Sequence, residues 1–407
     1  CMPGILIYLY LRGRQEPEYF KFLGERFGHN QPRKGPHIWI HAVSVGEVNA
    51  SIPLLRKLME QLPETEFLVT TTTPTGSDIL LNKMGSRVKH QYIPVDLPIC
   101  VDKFLDKWQP KMLIILETEI WPNLISNCKK RGIYTALVNA RLSEKSKIKY
   151  ARFKSLISPA VFELDLILAQ YESDASRFKE LADREVALCG NLKFDQDIPD
   201  EIESIVDGIR SQWSVNQKQR PVLIAASTHD TEEKVCAIVH KKLKIKYKNL
   251  VTIIIPRHIH RTNKIIDNLK NLNLKIHLHD SNKKIEKDTD IYLVNSFGKT
   301  KSFFKFCKIV FLGGSMIPHG GQNPLEAARY GCKILHGPNI WNFLEIYSLL
   351  NNYKVSDKVK NINQLSFKVE KMLNNKNSSK KIQLKIKEIG NKILNSTLSE
   401  INVFINK

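Results

Sequence analysis

Twice along the chain, short β-branched and aliphatic runs alternate with helix-length amphipathic stretches, and no hairpin turn joins one run to the next. Strands separated by helices line up in parallel through right-handed crossovers, so the alternation restricts the chain to α/β architecture with sheets covered on both faces. The first series of predicted strands covers 38–43, 67–72, 88–93, 112–116, 134–138 and 164–169. A polar, acidic stretch at 195–207 follows. The second series covers 222–226, 251–255, 274–278, 291–294, 308–312 and 333–335. The reading is two doubly wound domains, 1–200 and 201–407, because 407 residues exceed what one core organises.

Sixty-two basic against 41 acidic side chains leave a net charge of +21, which attracts phosphate-bearing partners: nucleic acid, an anionic bilayer, nucleotides or phospholipids. The seven cysteines never lie closer than 25 residues, which excludes a C-x-x-C metal knuckle and a small disulfide scaffold and suits a reducing cytosol. No apolar run reaches the roughly 18 residues of a spanning helix. The segment Gly4–Leu11 (GILIYLYL), followed by Arg12 and Arg14, is expected to associate with a bilayer face. From Lys354 to Lys407 the chain holds 12 lysines, no arginine and 4 acids, which reads as terminal helices with a basic face.

Open parallel sheets bind ligands beyond the carboxyl ends of their strands, so chemistry belongs in those loops. The first strand ends in Ser44-Val45-Gly46-Glu47. Here Glu47 is either the carboxylate of a capping box or a general base beside a glycine that admits a ligand. Thr70 to Gly76 offers a row of hydroxyls, with a cap-like Thr75-x-x-Asp78, for an anion or merely for a strand end. Glu117 and Glu119 stand two apart on an extended segment, where their repulsion calls for a cation, a substrate hydroxyl, or an ion pair to Arg141 or Lys193.

In the second domain the strand at 308–312 runs into Gly313-Gly314-Ser315 and then His319-Gly320-Gly321-Gln322-Asn323-Pro324-Leu325-Glu326. Four glycines are expected to form a backbone anion nest, with Asn323 as N-cap, Pro324 at N1 and Glu326 at N3 of a helix pointing at phosphate. Arg257 follows the strand at 251–255 and suits phosphate contact. His258-x-His260 lacks a third ligand at metal spacing, so no metal site is expected. Gly298-Lys299-Thr300 is not a Walker A tail, because its first glycine would fall on Leu293. The absence of G-x-G-x-x-G after the first strand argues against a dinucleotide dehydrogenase.

Together, WIHAVSVGE (39–47), TTTTPTG (70–76), LETEIWPN (116–123), LVNARLSEKS (137–146), GNLKFD (190–195), PRH (256–258) and GGSMIPHGGQNPLEAA (313–328) resemble the 3-deoxy-D-manno-octulosonic acid (Kdo) transferases of lipopolysaccharide synthesis. The resemblance covers roughly 12–350. It implies a GT-B glycosyltransferase, two Rossmann-like domains facing across a cleft, with no catalytic metal and no cofactor. The donor would be CMP-Kdo, bound by the second domain; the acceptor would be a lipid A precursor, bound by the first. On matching positions, Glu47 would be the base, with Glu117 and Lys193 steadying the transition state. Pro256, Arg257, the turn Phe297-Gly298-Lys299, and Asn323, Pro324, Leu325 and Glu326 would bind CMP. Lys299 departs from the acidic residue usual after that glycine, and the apolar N-terminal run is shorter than the family's anchor. The expected location is the cytoplasmic face of the inner membrane, at its anionic surface. Another GT-B nucleotide-sugar transferase or epimerase is the alternative within enzymes. A nucleic-acid-binding role lacks any helix-turn-helix, zinc-finger or aromatic RNA-binding signature, so no nucleic-acid partner is expected.

Overall fold

The computed structural model describes residues 9–14, 16–29, 38–196, 214–215, 218–279, 285–296, 298–374 and 379–405. Two parallel sheets of seven strands each organise the chain. The first is built from β1 (Ile38–His41), β2 (Phe67–Thr71), β3 (Lys89–Tyr92), β4 (Met112–Leu116), β5 (Tyr134–Ala140), β6 (Leu166–Ala169) and β7 (Ala187–Leu188), in the order β3-β2-β1-β4-β5-β6-β7. A small antiparallel pair, β8 (Ser214–Val215) and β9 (Lys218–Gln219), precedes the second sheet. That sheet comprises β10 (Val222–Thr228), β11 (Val251–Pro256), β12 (Ile276–Leu278), β13 (Ile291–Leu293), β14 (Ile309–Leu312), β15 (Lys333–His336) and β16 (Ser356–Lys358), in the order β12-β13-β11-β10-β14-β15-β16.

Each central strand explains its own place. Met112–Leu116 (MLIIL) is buried at every position, as a strand covered by helices on both faces must be. In the first sheet Ile38 stands opposite Phe67 on one side and Met112 on the other, which stacks the apolar runs in register. Trp39, Phe104, Leu113 and Phe178 fill the core on one face of this sheet. Leu223, Ile254, Phe311 and Leu335 do the same in the second.

The chain divides into two compact units, one of Cys1–Gln196 with Ile389–Lys407 and one of Asp197–Glu388. The expected division at 200 therefore needs a correction at the carboxyl end. The expected second domain, 201–407, contains the whole terminal helix Ser379–Ile405, yet the residues of that helix from Ile389 belong to the first unit. There Ile393 fills the space beside Gly190, whose φ of +97° and lack of a side chain permit the approach, and Phe404 meets Tyr134 with ring centroids 5.8 Å apart. The apolar alternation of this helix carries the reason: Ile393, Leu394, Leu398 and Ile401 are all buried. Most of the apolar segment Gly4–Leu11 lies outside the described residues.

Candidate active site

In the first unit Ser44 precedes the helix Val45–Gln61 in extended conformation, and its hydroxyl does not cap the helix backbone. Instead it donates to Glu47 Oε1 at 3.1 Å, while Oε2 accepts the Val43 N–H at 2.6 Å. A capping box would use the Ser44 N–H, so the box is displaced by one residue and only half formed. Glu47 is 8% exposed. Burial raises its carboxyl to about 7, the charges of Glu117 and then Glu119 add to the rise, and the bonds from Val43 and Ser44 oppose it. A carboxyl poised near neutrality is matched to accepting a proton from a substrate hydroxyl.

Glu117 leaves β4 with φ +63°, a left-handed conformation that costs a non-glycine residue about 1–2 kcal/mol. Its carboxylate forms an ion pair with the Lys193 ammonium. The alternative of an ion pair and the transition-state role thus converge on the same two side chains. Glu119 accepts the Trp121 Nε1–H at 2.9 Å, and burial pushes its carboxyl upward. Lys193 rides on the short helix Leu192–Asp195, whose start is fixed twice. Asn191 Oδ1 accepts the Lys193 N–H at 2.9 Å, and Asn139 Oδ1 accepts the Leu192 N–H at 3.0 Å.

Asn139 was not singled out from the sequence. It has φ +56° at a register shift between β5 and β6, and its carbonyl accepts from Gln170 Nε2 at 2.8 Å. Asparagine tolerates this conformation better than most residues, the one sequence signal that could have marked it. Its Nδ2 is buried without a partner among the described residues. Of the threonine row, Thr70, Thr71 and Thr73 are engaged within the fold, while Thr72 Oγ1 is buried without a partner among the described residues. Thr70 Oγ1 meets Trp39 Nε1 at 2.8 Å and His41 Nδ1 at 2.9 Å, and Thr71 Oγ1 meets His90 Nε2 at 2.9 Å. Thr73, not Thr75, caps the following helix by accepting the Gly76 N–H at 3.2 Å.

In the second unit β10 ends in a bulge, with Ser227 at φ +54° and the pairing to β11 shifted between Ala226 and Thr228. Pro256 closes β11 and is buried, while Arg257 is exposed and its N–H donates to the Thr228 carbonyl at 3.0 Å. The His229 ring lies 4.1 Å from His319 and 5.8 Å from His258, centroid to centroid. Burial, then the charges of His319, His258 and the nearby arginines, lowers His229 to about 4. It is neutral near pH 7, and Gln322 Nε2 stands 3.3 Å from its Nε2.

The glycine nest is not open to phosphate. Glu232, fully buried, accepts the backbone N–H groups of His229, Gly314, Ser315 and Met316 at 2.7–3.0 Å, so a carboxylate of the chain itself occupies the nest. Nothing local in the sequence points to Glu232, because the three glycine-loop donors it satisfies, Gly314, Ser315 and Met316, lie more than 80 residues away. Gly313 keeps the loop close to β10, where a Cβ would stand 2.5 Å from the Ser227 carbonyl oxygen.

The helix expected from Pro324 begins one residue later, spans only Leu325–Arg329, and puts Pro324 at the cap position. Asn323 still caps in effect, its Oδ1 accepting the Leu325 N–H at 3.0 Å. Glu326 pairs with Lys301 at 3.4 Å. Gly298 is exposed at φ +79° and Lys299 precedes the helix Thr300–Phe306; Phe297 lies outside the described residues. Among the described residues, no group of three or more His, Cys, Asp or Glu is arranged to hold a metal ion.

The family described as 3-deoxy-D-manno-octulosonic-acid transferase (kdotransferase) matches residues 21–196. A 3-deoxy-D-manno-octulosonic acid transferase of Haemophilus influenzae is 34% identical over 388 residues, covering 94% of this chain and 90% of that protein. The chain belongs to this family. As a Kdo transferase family member it is a glycosyltransferase, and its two-sheet architecture is the GT-B fold. Solved structures at lower identity share that fold. A glycosyltransferase of Rickettsia africae matches 91% of this chain and 99% of its own with a TM-score of 0.58 at 13% identity. The UDP-GlcNAc 2-epimerase of Neisseria meningitidis matches 89% and 99% with a TM-score of 0.57, again at 13% identity.

Proposed function

We propose that the protein moves Kdo from CMP-Kdo to a sugar hydroxyl of a lipid A precursor. The observation that carries this reading is the buried Glu47 carboxyl, raised to about 7 beside the Glu117–Lys193 pair at the end of the first sheet. In this reaction the acceptor oxygen bonds to the anomeric carbon while the bond from that carbon to the CMP phosphate oxygen breaks. Glu47 takes the hydroxyl proton as the new bond forms, a contribution of about 10²- to 10⁴-fold. Glu117 holds the Lys193 ammonium in place, and Lys193 offers positive charge for the transition state. On the second unit, Arg257 supplies a permanent cation for the departing phosphate, Asn323 orders the start of its helix, and Glu326 suits the ribose hydroxyls of CMP. Pro256, Gly298, Lys299, Pro324 and Leu325 shape that loop cluster.

No helix among the described residues is long and apolar enough to cross a membrane. The lipid acceptor and the net charge of +21 support a place at the anionic cytoplasmic face of the inner membrane. The reading needs neither metal nor cofactor, since the donor phosphate is met by protein cations. Incubation with CMP-Kdo and a tetra-acylated lipid A precursor, followed by mass spectrometry of the lipid, tests it directly. The lipid gains the mass of Kdo; an unchanged lipid overturns the assignment.

A further inference from the structure

The Asp197–Glu388 unit has a concave region at the opposite end of its sheet from the loops described above. A cavity of about 970 Å³ opens where Val222, Ile309 and Lys333 begin β10, β14 and β15. Those are the amino ends of parallel strands, whereas nucleotide ligands sit beyond the carboxyl ends. The seven residues of β10 put roughly 20 Å between the two regions.

Seven lysines and one arginine line this cavity, against Asp357 as the single acid among the described lining residues. Some of the cations have work within the fold. Arg220 donates to the carbonyls of Asn249 and Thr289 at 2.9 and 2.7 Å; Lys333 and Lys368 reach Asp357 at 3.4 and 3.2 Å; Lys385 lies over the Tyr353 ring at 5.2 Å. Lys308, Lys354, Lys371 and Lys381 are exposed and have no acidic partner among the described residues. Their charge is unbalanced around one concavity whose walls include Val222, Ile309, Met372 and Ile382. Low-dielectric walls focus such a field, and flexible ammonium groups adapt to phosphate as point charges. Phe367, 67% exposed, adds an unpartnered aromatic surface to the same lining.

We propose that this cavity is a binding site for a phosphate-bearing anion, one that presents at least two negative charges beside an apolar or ring portion. The volume suits a small organic ligand, and the residues differ from those placed at the CMP loops. The same chemistry is offered by an anionic lipid headgroup and by a soluble diphosphate, and the test separates them. The variant Lys308→Ala/Lys371→Ala/Lys381→Ala removes three exposed side chains, so the fold is retained, which circular dichroism checks. Calorimetry with inorganic pyrophosphate, run in saturating CMP so that the donor loops are filled, reads the soluble arm. Sedimentation with phosphatidylglycerol–phosphatidylcholine vesicles, against phosphatidylcholine alone, reads the lipid arm.

The expected result is a loss of about tenfold or more in affinity for one probe in the triple variant, with Arg257→Ala binding that probe as wild type does. A loss for pyrophosphate assigns a soluble ligand; a loss for the anionic vesicles assigns a headgroup. Wild-type protein that binds neither probe, a triple variant that binds both unchanged, or a loss on Arg257→Ala would each overturn the site. None of these outcomes depends on whether Kdo is transferred.

Discussion

Beyond the strands of the first sheet the loops gather three glutamates, Glu47, Glu117 and Glu119, with Lys193 as the paired cation. Beyond those of the second they gather the rings of His229, His258 and His319 with Arg257 and with Arg261, which is paired to Asp230 and Glu233, while the Glu232 carboxylate is taken up by backbone donors. Both ends use the same backbone device, a left-handed residue at a register shift: Asn139 in β5 and Ser227 in β10. A bulge of this kind re-aims the chain where a strand ends, at a cost the rest of the sheet sustains. What differs is the chemistry set upon it. The first unit holds a buried carboxyl raised toward neutrality, and the second satisfies its buried carboxylate with backbone donors and leaves Arg257 exposed, a division suited to transfer between a hydroxyl and a phosphate ester.

The sharpest way to break that division is Glu47→Gln, which keeps the shape and removes the proton acceptor. Turnover is expected to fall about 10²-fold or more with CMP affinity unchanged. Near-normal turnover would reduce Glu47 to a structural cap. Arg257→Ala should show the converse, weakening CMP by about 1.5–3 kcal/mol in a direct binding titration. Equal CMP affinity in variant and wild type would remove Arg257 from the donor site.

The pH dependence sharpens the contrast. Turnover should rise with pH through about 7 as Glu47 loses its proton. Lys193→Met should move that inflection upward, because Glu117 is then uncompensated and its charge opposes ionisation of Glu47. A rate profile with the wild-type inflection would separate Lys193 from the base. Stability follows with opposite signs at the two sites. The raised carboxyl of Glu47 binds a proton in the fold that the unfolded chain has lost, so its contribution falls as pH rises from about 4.5 to about 7. Glu47→Gln should therefore melt higher than wild type at pH 8 and level with it at pH 4. The lowered His229 loses its contribution as pH falls from 6.5 to about 4, so His229→Gln should lessen acid lability. Melting curves across this range check both. The smallest effect is expected from EDTA, which should leave turnover unchanged because no described side-chain cluster has a metal's ligand set.

Much of this was legible in the residues, for physical reasons. A short, uniformly apolar run such as MLIIL at 112–116, set between helical stretches, suits a covered strand, and it is one to the residue. Glu47, Glu117 and Arg257 follow strand ends that the alternation locates, whereas Lys193, on the short helix Leu192–Asp195, was legible only as a partner for Glu117 and through the family resemblance. Ala187–Leu188 and Ser356–Lys358 escaped notice, the first being two residues long and the second polar, and both lie at sheet edges that demand little apolar pattern. The filling of the nest by Glu232 and the bracing of Lys193 by Asn139 escaped for another reason. Each is a bond between segments separated by more than 50 residues, and local propensity carries no trace of such a partner. The terminal helix exposes Lys381, Lys385, Lys387 and Lys392, while its residues from Ile389 serve the first unit, a long-range placement that no local pattern marks.

That helix has a consequence for how the protein is made. Its residues up to Glu388 belong to the second unit and those from Ile389 to the first, so the first unit is completed by a segment translated after the entire second unit. At roughly 5–20 residues per second, the ribosome spends on the order of ten to forty seconds on the stretch between. Throughout that interval the surface that Ile393, Leu398 and Ile401 will cover is left bare. The nascent first unit must therefore wait, half finished and apolar on one side, for the closing strap to emerge.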